Sequence, residues 1–118
     1  MTTQKIEKWR LEELALVLNH LSELLRKGNN REWANVFYHF HTEAQNIISN
    51  REFDLEPLKK LIQNIKNCFL RLSSFKNLVF WPKDSGENEK INQDFQHSRA
   101  RLLKILEDME QRTIEYIN

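Results

Sequence analysis

Glycine occurs only at positions 28 and 86 of this chain of 118 residues, and proline only at positions 57 and 82. These counts are far below the usual shares of about 7% and 5%. They remove most of the turn chemistry that β-hairpins and multi-turn folds need. A chain of this length is enough for one domain. We therefore predict a single all-α domain over residues 1–118, built as a four-helix, bundle-like fold.

Apolar residues recur in four segments with the three- and four-residue spacing of an amphipathic helix. The segments predicted as helices are Thr3–Lys27, Arg31–Ser49, Leu55–Leu72 and Glu87–Ile117. We expect Gly28 to close the first helix in the left-handed conformation. Asn30 and Asp54 are the expected N-caps of the second and third helices. The short link between the first two helices predicts that they lie antiparallel.

The segment between the third and fourth helices does not follow helical spacing. From Phe75 to Pro82, six of eight residues are apolar or proline. A run of this kind is normally buried. We therefore expect a packed apolar connector between these two helices.

The composition excludes several classes of protein. Charged residues make up 30% of the chain and hydrophobic residues 40%, which is too apolar for disorder and too charged for a membrane protein. The single cysteine, Cys68, excludes an intrachain disulfide and a cysteine-based zinc site. The first residues lack the apolar core of a secretory signal. We expect a soluble protein of a reducing compartment, the cytoplasm, with no membrane partner.

No set of residues has the spacing of a known catalytic or metal site. The candidate metal ligands are His20, His39, His41 and His97. His39 and Glu43 share a helix face, but two ligands do not make a site. Cys68 has no motif neighbour and is interpreted as a small buried hydrophobe. With so few glycines a phosphate loop is excluded, so we expect no enzyme, no cofactor, no metal and no small-molecule substrate.

The charges are nearly balanced, at +1 overall, but unevenly distributed. Lys59 to Lys83 carries six basic residues and no acid, and is interpreted as a solvated face. Eight of the 17 acidic residues lie in or just before the last helix, namely Asp84, Glu87, Glu89 and Asp94 near its start, and Glu107, Asp108, Glu110 and Glu115 near its end. Negative charge is unfavourable at a helix carboxyl end. The acidic residues are therefore the expected contacts for a basic partner, with Trp81 or Tyr116 as an aromatic anchor.

The connector carries a resemblance to known proteins. A group of small all-helical bacterial proteins has, between its third and fourth helices, a segment similar to Phe-Gly-Gly-Met-Gly-Ser-Phe-Asn-Asp-Leu-Val. Residues 69–79 resemble this segment, with Leu72 in place of the methionine and other residues in place of the three glycines. The residues kept are Phe69, Ser74, Phe75, Leu78 and Val79. The tryptophan-containing second helix is also similar.

A compact helical domain of this kind also resembles the immunity proteins of bacterial contact-dependent growth inhibition systems. The resemblance implies a one-to-one complex with a cognate toxin domain, expected to be a basic nuclease, whose active site the immunity protein occludes. One alternative is a small regulatory or nucleic-acid-associated protein that uses the Lys59–Lys83 face. Another is a helical enzyme, which a pocket holding several perturbed titratable groups would favour.

Overall fold

The computed structural model describes the backbone of residues 6–28, 30–70 and 87–117, and the side chains of residues 6–28, 30–68 and 90–114. It contains four α-helices in chain order: α1 (Lys8–Lys27), α2 (Arg31–Ser49), α3 (Leu55–Leu70) and α4 (Glu87–Ile117). The described residues form no strand. The predicted all-α fold is therefore confirmed. The predicted packed connector lies outside the described residues.

The four helices pack in a ring. Helix α1 packs against α2 and α4, and α3 packs against the same two helices, whereas no close backbone contact joins α1 to α3 or α2 to α4 in the described residues. This neighbour pattern is that of a four-helix bundle. The carboxyl-terminal part of α3 lies beside the carboxyl-terminal half of α4, where Lys66 Nζ is 2.5 Å from Glu110 Oε2.

All four helices contribute to one apolar core. Its large, fully buried side chains are Leu14, Leu18, Leu21 and Leu25 of α1, Phe37 of α2, Leu58, Leu61 and Ile65 of α3, and Phe95, Leu102 and Leu106 of α4. Each such side chain contributes about 1.5–3 kcal/mol relative to an exposed one. The helical spacing of α2 places Val36 beside its apolar stripe, but Val36 is 36% exposed.

The predicted helix ends are partly wrong. Helix α1 begins at Lys8, not Thr3, because Glu7 has extended backbone and the preceding Ile6 is buried in the core. Gly28 is not left-handed: its φ is −84°, and its N–H donates to the Leu24 carbonyl. Asn30 stands at the N-cap position of α2 but makes no side-chain capping bond. Asp54 does cap α3, since its Oδ1 accepts from the Glu56 N–H at 3.1 Å.

A buried small residue allows α1 and α2 to approach closely. Ala15 of α1 is 1% exposed, and its carbonyl oxygen accepts a hydrogen bond from His41 Nδ1 of α2 at 2.9 Å. A carbonyl only accepts, so the hydrogen lies on Nδ1 of this imidazole. His41 is therefore a structural link between two helices. Among the described residues, no helix is both long enough and apolar enough to cross a membrane.

Candidate partner-binding surface

Asp108, one of the acidic residues expected to contact a partner, is bound within the fold. Its Oδ2 accepts from Arg10 Nη1 of α1 at 2.6 Å and from Arg112 Nε of α4 at 3.3 Å. The two arginine side chains are about four-fifths buried. Asp108 therefore neutralises positive charge at the α1–α4 contact and is not a free acidic group.

Glu7 completes a ring of four charges with these residues. Its Oε1 lies 3.5 Å from Arg10 Nε and 4.0 Å from Arg112 Nη1. Glu7 Oε1 and Arg10 Nε therefore form an ion pair but no hydrogen bond, because Arg10 Nε has no hydrogen-bond partner. Each charge in the ring is flanked by two of opposite sign. We call these four residues the α1–α4 charge ring.

The other acidic residues of α4 do not form one patch with Asp108. Glu110 faces α3 and accepts from Lys66 Nζ at 2.5 Å. Glu107 is exposed and has no ion-pair partner among the described side chains, and Asp94 is half-buried. The acidic residues near the carboxyl end of α4 thus point toward α1, toward α3 and toward solvent. Of these residues, Asp108 and Glu110 have a basic partner within the fold.

Several of the expected contacts lie outside the described side chains. Trp81 and Asp84 fall in the segment between α3 and α4 that the structure does not describe. Glu87, Glu89, Glu115 and Tyr116 lie on α4, but their side chains are not described. The expectation that they contact a partner stays a prediction.

The described part of the basic Lys59–Lys83 face is interspersed with acidic groups. Lys59 Nζ lies 4.0 Å from Glu56 Oε1, and Lys66 is paired with Glu110. Lys60 lines a groove that also contains three carboxylates. This part of the face therefore has little net positive field for a nucleic-acid backbone. Arg71, Lys76 and Lys83 lie outside the described residues.

A groove between α2 and α3 has a volume of about 620 Å³. Three carboxylates, Glu43, Asp54 and Glu56, line it together with a single lysine, Lys60. The remaining lining residues are the amides Asn46, Asn50 and Asn64 and the apolar Ile47 and Pro57. We call this site the α2–α3 groove.

Local structure holds the acidic groups of the α2–α3 groove in place. Asp54 is fixed by its capping bond to the Glu56 N–H. Glu43 Oε1 lies 2.6 Å from His39 Nε2, which is four residues earlier on the same helix. Ile47 is 8% exposed and belongs to the core. The groove therefore combines an apolar floor with hydrogen-bonding groups at its edges, a composition suited to long cationic side chains.

Sequence reasoning missed the α2–α3 groove. Its residues come from the end of α2, the loop after it and the start of α3, and none belongs to a recognisable motif. The spacing of His39 and Glu43 predicts that they share a helix face, and the structure places His39 Nε2 2.6 Å from Glu43 Oε1. In the described part of the chain, no group of three or more histidine, cysteine, aspartate or glutamate residues is placed to hold a metal ion.

A second cleft, of about 310 Å³, lies between α1 and α4. Its polar residues are mostly paired across the cleft: Arg10 with Asp108, and Arg101 Nη2 with Glu13 Oε2 at 3.6 Å. The carboxylates of this cleft are paired with arginines, whereas in the α2–α3 groove Glu56 lies 4.0 Å from Lys59 Nζ and Glu43 lies 2.6 Å from His39 Nε2. Cys68 lies in the core and lines neither the cleft nor the groove. It is 5% exposed, and its Sγ donates to the Asn64 carbonyl at 3.6 Å.

Comparisons of the chain with models of protein families, with curated proteins and with solved structures gave no match.

Proposed function

We propose that this chain is an immunity protein, a non-catalytic inhibitor that binds the toxin domain of a contact-dependent growth inhibition system. One chain binds one toxin domain, a nuclease with a basic active-site cleft, and occludes that cleft. The protein acts in the cytoplasm of the cell that it protects. The sequence resemblance motivates the toxin class, and the α2–α3 groove is the observation that carries the proposal.

The groove supports a basic partner because of its charge and its hydrogen-bonding groups. The side chains that line the groove include three carboxylates, Glu43, Asp54 and Glu56, and one lysine. Lys59 Nζ lies 4.0 Å from Glu56, so the lining keeps an excess of acidic groups although the whole chain is nearly neutral. Carboxylates bind guanidinium groups through short, charge-assisted hydrogen bonds. The three asparagine amides add donors and acceptors that fix the orientation of a partner.

A nuclease is the toxin class that best fits this groove. An enzyme that cleaves RNA or DNA binds the phosphates of its substrate with lysine and arginine side chains. Carboxylates that reach those side chains occupy the positions of phosphates and keep the substrate out. Opposite charge on the two surfaces also accelerates their association.

Co-expression tests the proposal directly. We expect a large secreted protein to be encoded beside this chain, and its carboxyl-terminal fragment to kill cells unless this chain is present. The two polypeptides should copurify in a one-to-one ratio, and added salt should slow their association. Killing that co-expression leaves undiminished would overturn the proposal.

Two glutamates allow a matched test of the groove itself. Glu56 lies in the first turn of α3 and lines the groove, whereas Glu32 lies in the first turn of α2 and does not line it. Both substitutions to lysine lose the same favourable helix-dipole interaction, about 0.3–1 kcal/mol. We expect Glu56→Lys to weaken toxin binding at least tenfold, a loss of about 1.4 kcal/mol in binding free energy. Glu32→Lys should leave the affinity within twofold, a loss of less than about 0.5 kcal/mol.

A third substitution separates the groove from α4. Glu107 is the exposed acidic residue of α4 that has no ion-pair partner among the described side chains. If Glu107→Lys weakens toxin binding and Glu56→Lys does not, the contact surface is on α4 and not in the groove. The dissociation constants, measured by calorimetry with the purified toxin fragment, distinguish the two surfaces.

A further inference from the structure

The outer surface of α1 exposes two large hydrophobic residues one heptad apart. Trp9 is 49% exposed and Leu16 is 64% exposed, the highest value among the exposed large hydrophobic residues that the structure describes. Lys8, Glu12, His20 and Glu23 are exposed along the same side of the helix. We call these six residues the outer α1 face.

Neither neighbouring helix covers the outer α1 face. Helix α2 approaches α1 at Ala15, where His41 donates to the backbone carbonyl. Helix α4 approaches on the other side, where Arg101 pairs with Glu13. The outer α1 face lies between these two contact lines and points away from the core.

The polar residues of the outer α1 face lie at similar distances on the two sides of Leu16. Glu12 lies four residues before Leu16, and His20 lies four residues after it. Lys8 lies eight residues before Leu16, and Glu23 lies seven residues after it. If two such helices lie antiparallel with Leu16 at a two-fold axis, each Glu12 faces His20 of the second copy. Trp9 then faces Glu23 of the second copy, and Lys8, one residue further along, lies within reach of the same carboxylate.

Only the antiparallel arrangement gives this complementarity. In a parallel pair, each of Lys8, Glu12 and Glu23 would meet its own counterpart, and like charges directly opposed are unfavourable. Antiparallel helices also have opposed dipoles. A two-fold axis makes the contact isologous, so every favourable pair occurs twice.

We propose that the outer α1 face binds a second copy of this chain, as an antiparallel α1–α1 homodimer with Leu16 at the two-fold axis. The two Leu16 side chains meet at the centre. Trp9, whose ring stacks on Arg10 and whose Nε1 donates to Glu7 of the same chain, lies near each end of the contact with its remaining exposed surface. None of the six residues of the face lines the α2–α3 groove. The dimer therefore leaves the groove open and does not depend on the proposed function.

The size of the face sets the expected affinity. Twenty helical residues span about 30 Å, and a strip about 10 Å wide buries less than the roughly 1,200 Å² of stable complexes. We therefore expect a weak dimer, with a dissociation constant on the order of 100 μM.

Sedimentation equilibrium of the full chain tests the dimer. We expect the mean mass to rise from that of a monomer toward that of a dimer as concentration rises to about 1 mM. Leu16→Lys, which brings two ammonium groups together at the axis, should abolish the rise. Leu103→Lys is the matched control, because Leu103 is a 39% exposed leucine of α4. A chain that stays monomeric, or a dimer that survives Leu16→Lys, overturns the proposal.

A charge exchange tests the antiparallel register. Lys8→Glu should weaken the dimer at least fivefold, because it places a carboxylate within reach of Glu23 of the second copy. Adding Glu23→Lys in the same chain should restore the original affinity. Failure of the second change to restore it overturns the register.

Crosslinking provides a measurement suited to a weak dimer. In a Cys68→Ser background, Leu16→Cys should form an intermolecular disulfide under mild oxidation, since the two positions lie within disulfide reach at the axis. Leu103→Cys should not. Equal crosslinking of both variants indicates random collision and counts against the proposal. Circular dichroism and thermal unfolding check that each variant keeps the fold.

Discussion

Arg10 Nη1 donates to Asp108 Oδ2 at 2.6 Å, although the two residues are 98 positions apart in the chain. This bond joins the start of α1 to the last third of α4. Arg10 is 19% exposed in its side chain, so its charge is mostly removed from water. The pairing gives the mostly buried Arg10 guanidinium a carboxylate partner on another helix.

Substitution of Asp108 should destabilise the protein. We expect Asp108→Asn to lower the free energy of unfolding by about 1 kcal/mol, because it leaves Arg10 and Arg112 without their shared carboxylate. Asp108 is 48% exposed, so solvent screening keeps the effect small. Urea denaturation measures it, with Glu107→Gln as the neighbouring control. Equal effects of the two substitutions would indicate that the charge ring contributes nothing.

Two leucines of α1 should respond very differently to truncation. Leu18 is fully buried, whereas Leu16 is 64% exposed. We expect Leu18→Ala to cost about 2–5 kcal/mol through lost burial and the cavity left behind. Leu16→Ala should cost under about 0.5 kcal/mol, measured in urea at low protein concentration. If Leu18→Ala does not fold, Leu18→Met provides the comparison. Similar losses at both sites would contradict the described orientation of α1.

The cap of α3 should depend on a side-chain oxygen and not on charge. Asp54→Ala removes the acceptor for the Glu56 N–H, and we expect it to lower the free energy of unfolding by about 1 kcal/mol. Asp54→Asn keeps an acceptor oxygen and should retain most of the stability. Chemical denaturation of both variants is the measurement. A loss of equal size in Asp54→Asn would show that the carboxylate charge, and not the cap, stabilises this end.

Cys68 should make stability depend on pH in the alkaline range. Burial raises the pKa of its thiol above the ordinary value of 9.0. The folded state then holds the proton more tightly than the unfolded state. Its contribution to stability is therefore complete below about pH 9 and is lost as pH rises through the folded pKa.

Comparison with Cys68→Ala isolates this effect from other alkaline titrations. We expect the free energy of unfolding of the unsubstituted chain to fall more steeply above about pH 9 than that of the variant. The thiol should also react slowly with a disulfide reagent in the folded state. Parallel pH profiles for the two proteins, together with fast thiol reaction, would contradict burial of Cys68.

The helices were predictable because their signal is repeated many times along the chain. Each turn of α1, for example, adds one or two leucines to the same face, so a single misplaced residue does not change the interpretation. The positions of the helix ends, by contrast, depend on single residues. Gly28 and Glu7 adopt conformations set by the tertiary contacts of the turns next to them, which propensity alone does not determine.

The candidate surface was less predictable because it depends on distant pairs. In the sequence, Asp108 and Glu110 are unpaired acids on one helix. In the fold, they meet Arg10 and Lys66 from two other helices. The α2–α3 groove is likewise created by the angle between two elements and has no pattern of its own. The exposed Leu16 breaks the polar side of α1 and is the visible sequence signal of the outer α1 face.

The charge ring joins the start of α1 to the last third of α4. Helices α1 and α2 are joined by a short link and can pair early, since closing a small loop has a low entropic cost. Glu7 and Arg10, by contrast, cannot meet Asp108 and Arg112 until α4 has been synthesised. We therefore expect the α1–α2 hairpin to form first, and α4 to dock last along α1.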